Sequence, residues 1–516
     1  MSKMRHIFGS LLCGVVGAYA LTPYGLWPLM FVSLSGFYFF YAQALTPSRA
    51  VLTGFMYGLG YFTAGLWWIG NALLIEGNDF WWVWPLAVIG LPVLLSSFTA
   101  IFTGMAYVIS NPRHISGLMC LTGALGMSEW VRGHIFTGFP WNLFGYIWAD
   151  TLAVAQISAW IGSYGLTLFT LLWGCTAGFM YVSVHTRRHQ YLILTGVMLT
   201  FLIPVTAGAW RLYQHPTQYD DAYQVHIVQP NIGQDMKWDS ARAVAHFEKH
   251  LRLSASSSQS PATRLIIWPE TAIPSVFLID PNARRLIRDM LSAHTSPAYL
   301  ISGILDRRQN QSTGKTLYYN GVAVFDTQGQ MTPVYSKTHL VPFGEFIPFQ
   351  EWIPLKPVVA FSGFEKGSGS TSVAMTGIPV FSPLVCYEII FPAEAATRNP
   401  LPPRWIVNVT NDAWYGKSAG PPQHFAHSIF RSIENGVPVI RSANTGISGM
   451  TDPLGRVLAK TKLDTEDNLI LPLPQPLSAL PLYMYIKDAG FLILAILFLL
   501  FGGCIRAVQN SMKKKT

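Results

Sequence analysis

The first 210 residues carry only 7 basic and 4 acidic side chains, and that scarcity of charge constrains the chain more than any motif in it. A soluble domain of that size needs a polar shell, whereas apolar runs of roughly 20 residues, cut by Pro, Gly and charge, are what a bilayer demands. Seven such runs fall near 7–21, 24–42, 51–73, 82–110, 115–127, 157–184 and 191–210, and an eighth near 489–505. The fifth is short, so a tilted or re-entrant segment is the alternative there. Over the whole chain 51% of residues are apolar and 12% charged, about half the usual charged share.

The formal charge is +9, and its placement says more than its size. Lys3 and Arg5 precede the first run, Arg49 lies between the second and third, Arg113 between the fourth and fifth, Arg187 and Arg188 between the sixth and seventh, and Arg506 with Lys513, Lys514 and Lys515 follows the eighth. The opposite loops are acidic or mixed, with Glu76 and Asp79, then Glu129, Arg132 and Asp150. Basic residues on alternate loops mark the cytoplasmic side. Both termini are therefore expected in the cytoplasm and residues 211–488 outside, in the periplasm of a bacterial inner membrane. The expected division is 1–210, a membrane domain of about seven helices; 211–488, a soluble domain; and 489–516, a last helix with a basic tail. The soluble segment is nearly neutral and has no basic stripe, which excludes nucleic-acid binding. Lys3, Arg5 and Ala18-Tyr19-Ala20 imitate a cleavable signal peptide, but another apolar run follows at once, so the first span stays. Leu12 stands where an acylation box before Cys13 would need a small residue.

Within 211–488, short apolar runs near 225–229, 265–268, 299–303, 321–325, 383–386, 405–409 and 437–441 read as strands, with helical patterns near 241–253, 281–294 and 422–435. Alternation of the two predicts an α/β layered fold. Residues 254–263, rich in Ser, read as a surface loop, and 361–375, with three Gly, as a long mobile one.

Of five cysteines, Cys13, Cys120, Cys175 and Cys504 fall in membrane runs, which leaves Cys386 alone in the exported domain. A solitary thiol in an oxidising compartment is either a buried apolar side chain or a group whose chemistry is needed. Glu270 follows the strand Ile266-Ile267-Trp268, Lys337 follows Tyr335-Ser336, and Cys386 follows Leu384-Val385. Strand ends of α/β sheets are where sites assemble. Singly, Glu270 reads as a helix cap, Lys337 as a solvated strand residue and Glu388 as a surface charge. Together they supply a base, a cation and a nucleophile, the set that thioester chemistry requires. His424 and His427, three apart, have no third ligand nearby, so no metal is expected, and nothing calls for a cofactor.

The segments W-P-E-T at 268–271, S-K-T-H-L-V-P-F-G-E at 336–345, V-C-Y-E at 385–388 and N-D-A-W-Y-G at 411–416 resemble the nitrilase, or carbon–nitrogen hydrolase, superfamily. With the spans and G-F-P-W-N-L at 138–143 the resemblance narrows to the apolipoprotein N-acyltransferase family. It implies a multi-span helical membrane domain beside an αββα sandwich with a Glu270-Lys337-Cys386 triad. It also implies transfer of the sn-1 acyl chain of a phospholipid, typically phosphatidylethanolamine, through a Cys386 thioester to the α-amine of a diacylglyceryl cysteine on an apolipoprotein. Glu345 would hold Lys337, Tyr387 would offer its N–H to the oxyanion, Glu388 would order the site, and Asn320 and Asn411 would belong to the polar surround. Trp238, Phe343, Phe346, Phe361, Phe364, Trp414 and Tyr415 are expected along an acyl pocket or at the bilayer, with core packing as the plain alternative, and Trp141 and Phe144 are the corresponding aromatics of the membrane part. A membrane-tethered amidase that passes its acyl group to water is the other enzyme reading. An inert scaffold or transporter is disfavoured because the spans hold few buried charges, with Glu129 and Arg132 expected at an edge.

Overall fold

The computed structural model describes residues 3–75, 80–183, 186–237, 241–255, 260–312, 314–347 and 363–513. These form two compact units, one of Met1–Gly70, Trp82–Pro216 and Leu480–Thr516, the other of Asn71–Trp81 and Thr217–Ala479.

The first unit is helical. Its long helices are Lys3–Ala18, Pro28–Ala42, Pro47–Leu66, Leu91–Ile109, Ile115–His134, Ser158–Ser183, Arg187–Gln214 and Ala489–Lys513. Among the described residues, Trp81–Ile109, Ser158–Ser183 and Arg187–Gln214 are long and apolar enough to cross a membrane. Small residues let these helices approach closely: a Cβ on Gly14 would run into the Tyr57 carbonyl oxygen, and one on Gly60 into that of Leu11. The short fifth run is in fact a 20-residue helix. It outlasts the apolar pattern because Glu129 and Arg132, three apart on one face, neutralise each other across 2.7 Å. They are buried at 2% exposure each instead of lying at an edge. Arg132 also donates to the carbonyls of Phe139 and, at 2.9 Å, Trp141, and the Tyr61 hydroxyl donates to Asn142 O at 3.0 Å, so the G-F-P-W-N-L segment is tied down from two helices. Trp141 and Phe144 are buried there, packed on Trp68 and Tyr61.

The second unit is a sandwich of two six-stranded sheets. The first holds β1 (Tyr219–Gln229), β2 (Thr263–Ile273), β3 (Ala298–Gln309), β4 (Thr316–Phe325) and β5 (Met331–Ser336); the second holds β6 (Val373–Met375), β7 (Ile378–Val385), β8 (Trp405–Thr410), β9 (Val439–Ala443), β10 (Gly449–Thr451) and β11 (Val457–Lys460). With β12 (Asp467–Pro474), the orders are β12-β1-β2-β3-β4-β5 and β11-β10-β9-β8-β7-β6. Each sheet has three parallel strands in series, β1-β2-β3 and β7-β8-β9, and antiparallel strands outside them. The parallel strands, and antiparallel β4 beside them, are the ones whose near-continuous apolar runs stand out in the sequence, because they are covered on both faces.

Val225, Ile227, Leu265, Ile267, Ile301 and Val322 of one sheet meet Phe381, Val385, Trp405, Val407, Val409 and Ile440 of the other in one apolar layer. On the outer face of the first sheet, Ile266, Trp268 and Leu300 pack on Phe247, Ile287 and Leu291 of helices Ala243–Ser254 and Pro281–Ser292. Helix Gly420–Asn435, buried along its length, belongs to the second sheet's side. Helices therefore flank both sheets in an αββα arrangement. The expected mobile loop 361–375 differs: residues 361–362 lie outside the described residues, and 373–375 are β6, a short edge strand whose three residues leave no readable alternation.

Candidate active site

The site is assembled from two parallel strands, β2 and β7, and the segment that follows the antiparallel strand β5. Glu270 lies near the end of β2, inside a stretch where pairing to β3 is interrupted between Trp268 and Ile273, and Thr271 beside it is left-handed at φ 47°. Cys386 is the first residue after β7 and is itself left-handed, at φ 51°. Such a backbone is strained for a residue with a Cβ. It turns the chain sharply out of the sheet into the short 3-10 turn Cys386–Ile390. Lys337 follows β5, where its N–H donates to Asn320 O of β4 at 2.8 Å.

The three groups are electrostatically joined. Burial pushes the Cys386 thiol well above its ordinary range, the Glu270 charge pushes it further, and Lys337 opposes both. For Lys337 burial works against the charge, but Glu345, Glu270 and Cys386 outweigh it, so the ammonium is held firmly protonated. Glu345 is its partner at 2.8 Å, and the second Glu345 oxygen accepts from Val341 N at 2.8 Å. Asn320 Nδ2 donates to Glu270 Oε1 at 2.6 Å and to Glu345 Oε1 at 3.2 Å. That leaves Glu270 Oε2 buried with no hydrogen-bond partner. A carboxylate oxygen so placed is free to accept a proton.

Glu388 is no surface charge: it is 4% exposed. Its Oε1 accepts from Tyr335 Oη at 2.7 Å, Thr338 N at 2.6 Å and His339 N at 3.0 Å, and its Oε2 accepts from Val385 N at 2.8 Å. One carboxylate thus staples the segment around Lys337 to the strand that ends in Cys386. Tyr387 is buried against Phe391. Asn411 Nδ2 donates to Gln234 Oε1 at 2.7 Å, and its Oδ1 accepts from Asn444 Nδ2 at 3.0 Å.

The predicted apolar residues divide. Trp238 and Phe361 lie outside the described residues. Phe343, left-handed at φ 61°, is 52% exposed, while Trp414, Phe346 and Phe364 join Leu305 and Leu340 in a small cluster. Tyr415 is half-buried, its ring 5.9 Å from that of His424, and its carbonyl accepts from Asn71 Nδ2 at 2.8 Å.

Two features escape the sequence reading. Behind Cys386 stands a fully buried polar network. Asp412 Oδ2 pairs with Arg441 at 2.7 Å and Oδ1 with His424 Nδ1 at 2.7 Å. His424 Nε2 lies 3.2 Å from Cys386 O, and Asn408 Nδ2 donates to the same oxygen at 3.3 Å. Burial alone would raise the Asp412 pKa, but Arg441 and His424 hold it well below the usual range, whereas burial and Arg441 lower that of His424. The second feature is Lys237, whose ammonium donates to the Glu270 carbonyl at 2.8 Å and lines a cavity with Glu270, Thr271, His246, His250 and Asn444. Arg441 lies 25 residues beyond the N-D-A-W-Y-G motif and Lys237 33 residues before Glu270, so only the fold brings them to the site. Among the described residues, no group of three His, Cys, Asp or Glu could hold a metal ion.

Comparison with known proteins covers both units. Residues 224–478 match the family model described as carbon-nitrogen hydrolase, and residues 13–176 that described as apolipoprotein N-acyltransferase N-terminal domain. An apolipoprotein N-acyltransferase from Rhodopseudomonas palustris is 35% identical over 91% of this chain and 89% of its own length. One from Bradyrhizobium diazoefficiens is 36% identical over 96% and 94%. An amidase from Nesterenkonia sp. aligns with 54% of this chain and 98% of its own at 16% identity and a TM-score of 0.36, too loose to argue from.

Proposed function

The chain belongs to the apolipoprotein N-acyltransferase family, and on that premise we propose that it takes an acyl chain from a phospholipid onto Cys386 and delivers it to the α-amine of a diacylglyceryl cysteine. The observation that carries the chemistry is the buried Cys386 in its left-handed turn, coupled to a Glu270 whose Oε2 is free and to a Lys337 fixed as a cation by Glu345.

Burial holds the resting thiol protonated, so a base must take its proton as sulfur attacks. Glu270 does this through Oε2. Sulfur adds to the sn-1 ester carbonyl, and the oxyanion is met by Lys337 and the Tyr387 N–H. Collapse expels the sn-1 alkoxide, which recovers the proton from Glu270 and leaves as lysophospholipid, with the acyl group now a thioester. The neutral α-amine of the lipopeptide then adds to the thioester carbonyl. Glu270 takes a proton from the attacking nitrogen and returns it to the departing sulfur, giving amide and thiol. Glu388 keeps cation and nucleophile in register, and Asn320 keeps Glu270 and Glu345 apart. Phosphatidylethanolamine is the donor we favour. Phe343, Trp414 and Tyr415 border the acyl chain. Two lipid-anchored substrates explain a catalytic domain, residues 211–488, tethered at the periplasmic face between a membrane domain, 1–210, and a last helix and basic tail, 489–516, with both termini cytoplasmic.

The test is the fate of the acyl group. Purified protein loaded from phosphatidylethanolamine should lose its acyl chain to a synthetic diacylglyceryl-cysteine peptide far faster than to water. Equal loss with and without the peptide would instead identify a hydrolase.

A further inference from the structure

The transfer step has a proton to dispose of. The acceptor arrives as an ammonium, R–NH3+, and the products are an amide and the Cys386 thiol, so one proton must leave the nitrogen before it can attack. Glu270 cannot account for it, since the proton it takes during attack goes back to sulfur. A second base beside the thioester would take that proton and deliver the neutral amine where it is used.

We infer that Lys237 is that base: its side chain, set beside Glu270 and, among the described residues, without a carboxylate partner, takes the proton from the incoming α-ammonium and passes it to solvent. This rests on the acyl-transfer reading above and assigns a residue to its second half.

Two lysines flank Glu270 in opposite circumstances. Lys337 is 1% exposed and locked to Glu345 at 2.8 Å, which fixes it as a cation for the oxyanion. Among the described residues Lys237 makes one hydrogen bond, to the Glu270 main-chain oxygen, and no carboxylate lies within ion-pair distance of it. A neutral amine keeps that bond as donor and has its lone pair left over. Its ammonium faces the cavity that Glu270 also lines. The groups around it are Glu270 from β2, Cys386 after β7, and His246 and His250 from helix Ala243–Ser254, with Arg242 at that helix's start and Asp235 on its own turn. His250 Nδ1 is taken by His246 O, and burial pulls its pKa to about 4, so it adds no charge near neutrality. Burial likewise lowers Lys237 to about 8, against the pull of Glu270 and Cys386. Groups of one kind whose pKa values are driven apart by their surroundings mark separate acid–base roles.

The balance is simple. R–NH3+ and Lys237–NH2 give R–NH2 and Lys237–NH3+; R–NH2 and the thioester give amide and thiol; Lys237–NH3+ returns its proton to water. No step of acylation needs it, because the thiol proton there ends on the lysophospholipid.

The experiment separates the two half-reactions in the full chain in detergent. Acylation is read as lysophospholipid release from phosphatidylethanolamine in a single turnover, and aminolysis as acyl transfer from preloaded enzyme to a synthetic diacylglyceryl-cysteine peptide. In K237M the ratio of aminolysis to acylation rates should fall on the order of 100-fold, the lower range for loss of a general base. The aminolysis rate should climb with pH in both proteins as the acceptor's own α-amine, with an ordinary pKa of about 8, deprotonates, and the K237M deficit should narrow at high pH, where the amine arrives already neutral. K237R keeps a cation and a donor to the Glu270 carbonyl but cannot give up its proton; it should be as slow as K237M. Recovery of aminolysis in K237R would overturn the base and leave a positioning role, and an equal fall of both half-reactions in K237M would overturn it as well. Absence of any acylation in the wild type would instead sink the acyl-transfer reading itself.

Discussion

Asp412→Asn tests the network behind the nucleophile. Asp412 and Arg441 have no exposed side-chain surface, and the carboxylate is also the partner of His424. Asparagine keeps the size and one acceptor but leaves the Arg441 guanidinium buried without a counter-charge, a change that costs about 3–5 kcal/mol. For a unit of this size each kcal/mol moves the melting temperature by ~2–4 °C, so a fall of roughly 6–20 °C is expected. The pH dependence has a definite sign. Because Asp412 is depressed in the fold, its contribution is complete above the ordinary aspartate pKa of about 3.9 and is lost as pH falls from there through the lower native value. The gap between wild type and D412N should therefore be full at pH 7 and shrink in acid. The assay is melting in detergent followed by protease susceptibility of the catalytic unit, with the D412N/R441Q double variant as control. Removing both charges should cost less than D412N alone, the two substitutions being coupled through one contact. A D412N melting temperature within about 2 °C of wild type at pH 7, under 1 kcal/mol on the same scale, would refute the reasoning.

Glu270→Gln keeps the Asn320 hydrogen bond but removes the base, and thioester formation should drop by roughly 10²–10⁴-fold, read as lysophospholipid release. Lys337→Met removes the cation from both half-reactions, so acylation and aminolysis should each fall on the order of 10²–10³-fold; a loss confined to one of them would contradict its place at the oxyanion. For the membrane arrangement, alkaline phosphatase fused after Tyr485 should be active and after Lys515 inactive, and the reverse would overturn the charge-based topology.

The sequence yields the architecture because two different physical demands write two different patterns. Uncharged runs had to be helices, and doubly covered parallel strands such as Leu265–Trp268 and Trp405–Val409 had to be continuous apolar stretches. Edge strands β6, β10 and β11 have three or four residues each, too few for a period to show. The geometry that brings Glu270, Lys337 and Cys386 within electrostatic reach is carried by motif residues, Glu270 near the end of β2 and Lys337 and Cys386 just past β5 and β7. Glu129 and Arg132 show the opposite case: charges that read as an edge are buried because each is the other's partner, a relation composition does not reveal. Lys237 and Arg441 likewise acquire meaning only from the sheet order that sets them beside Glu270 and behind Cys386.

The most direct test of the account is the covalent state of Cys386. Intact-mass spectrometry of protein purified with phospholipid should find a fraction heavier by one fatty acyl group, mapped to Cys386 after digestion and removed by hydroxylamine. An acyl group on another residue, or no adduct under any lipid condition, would contradict the account.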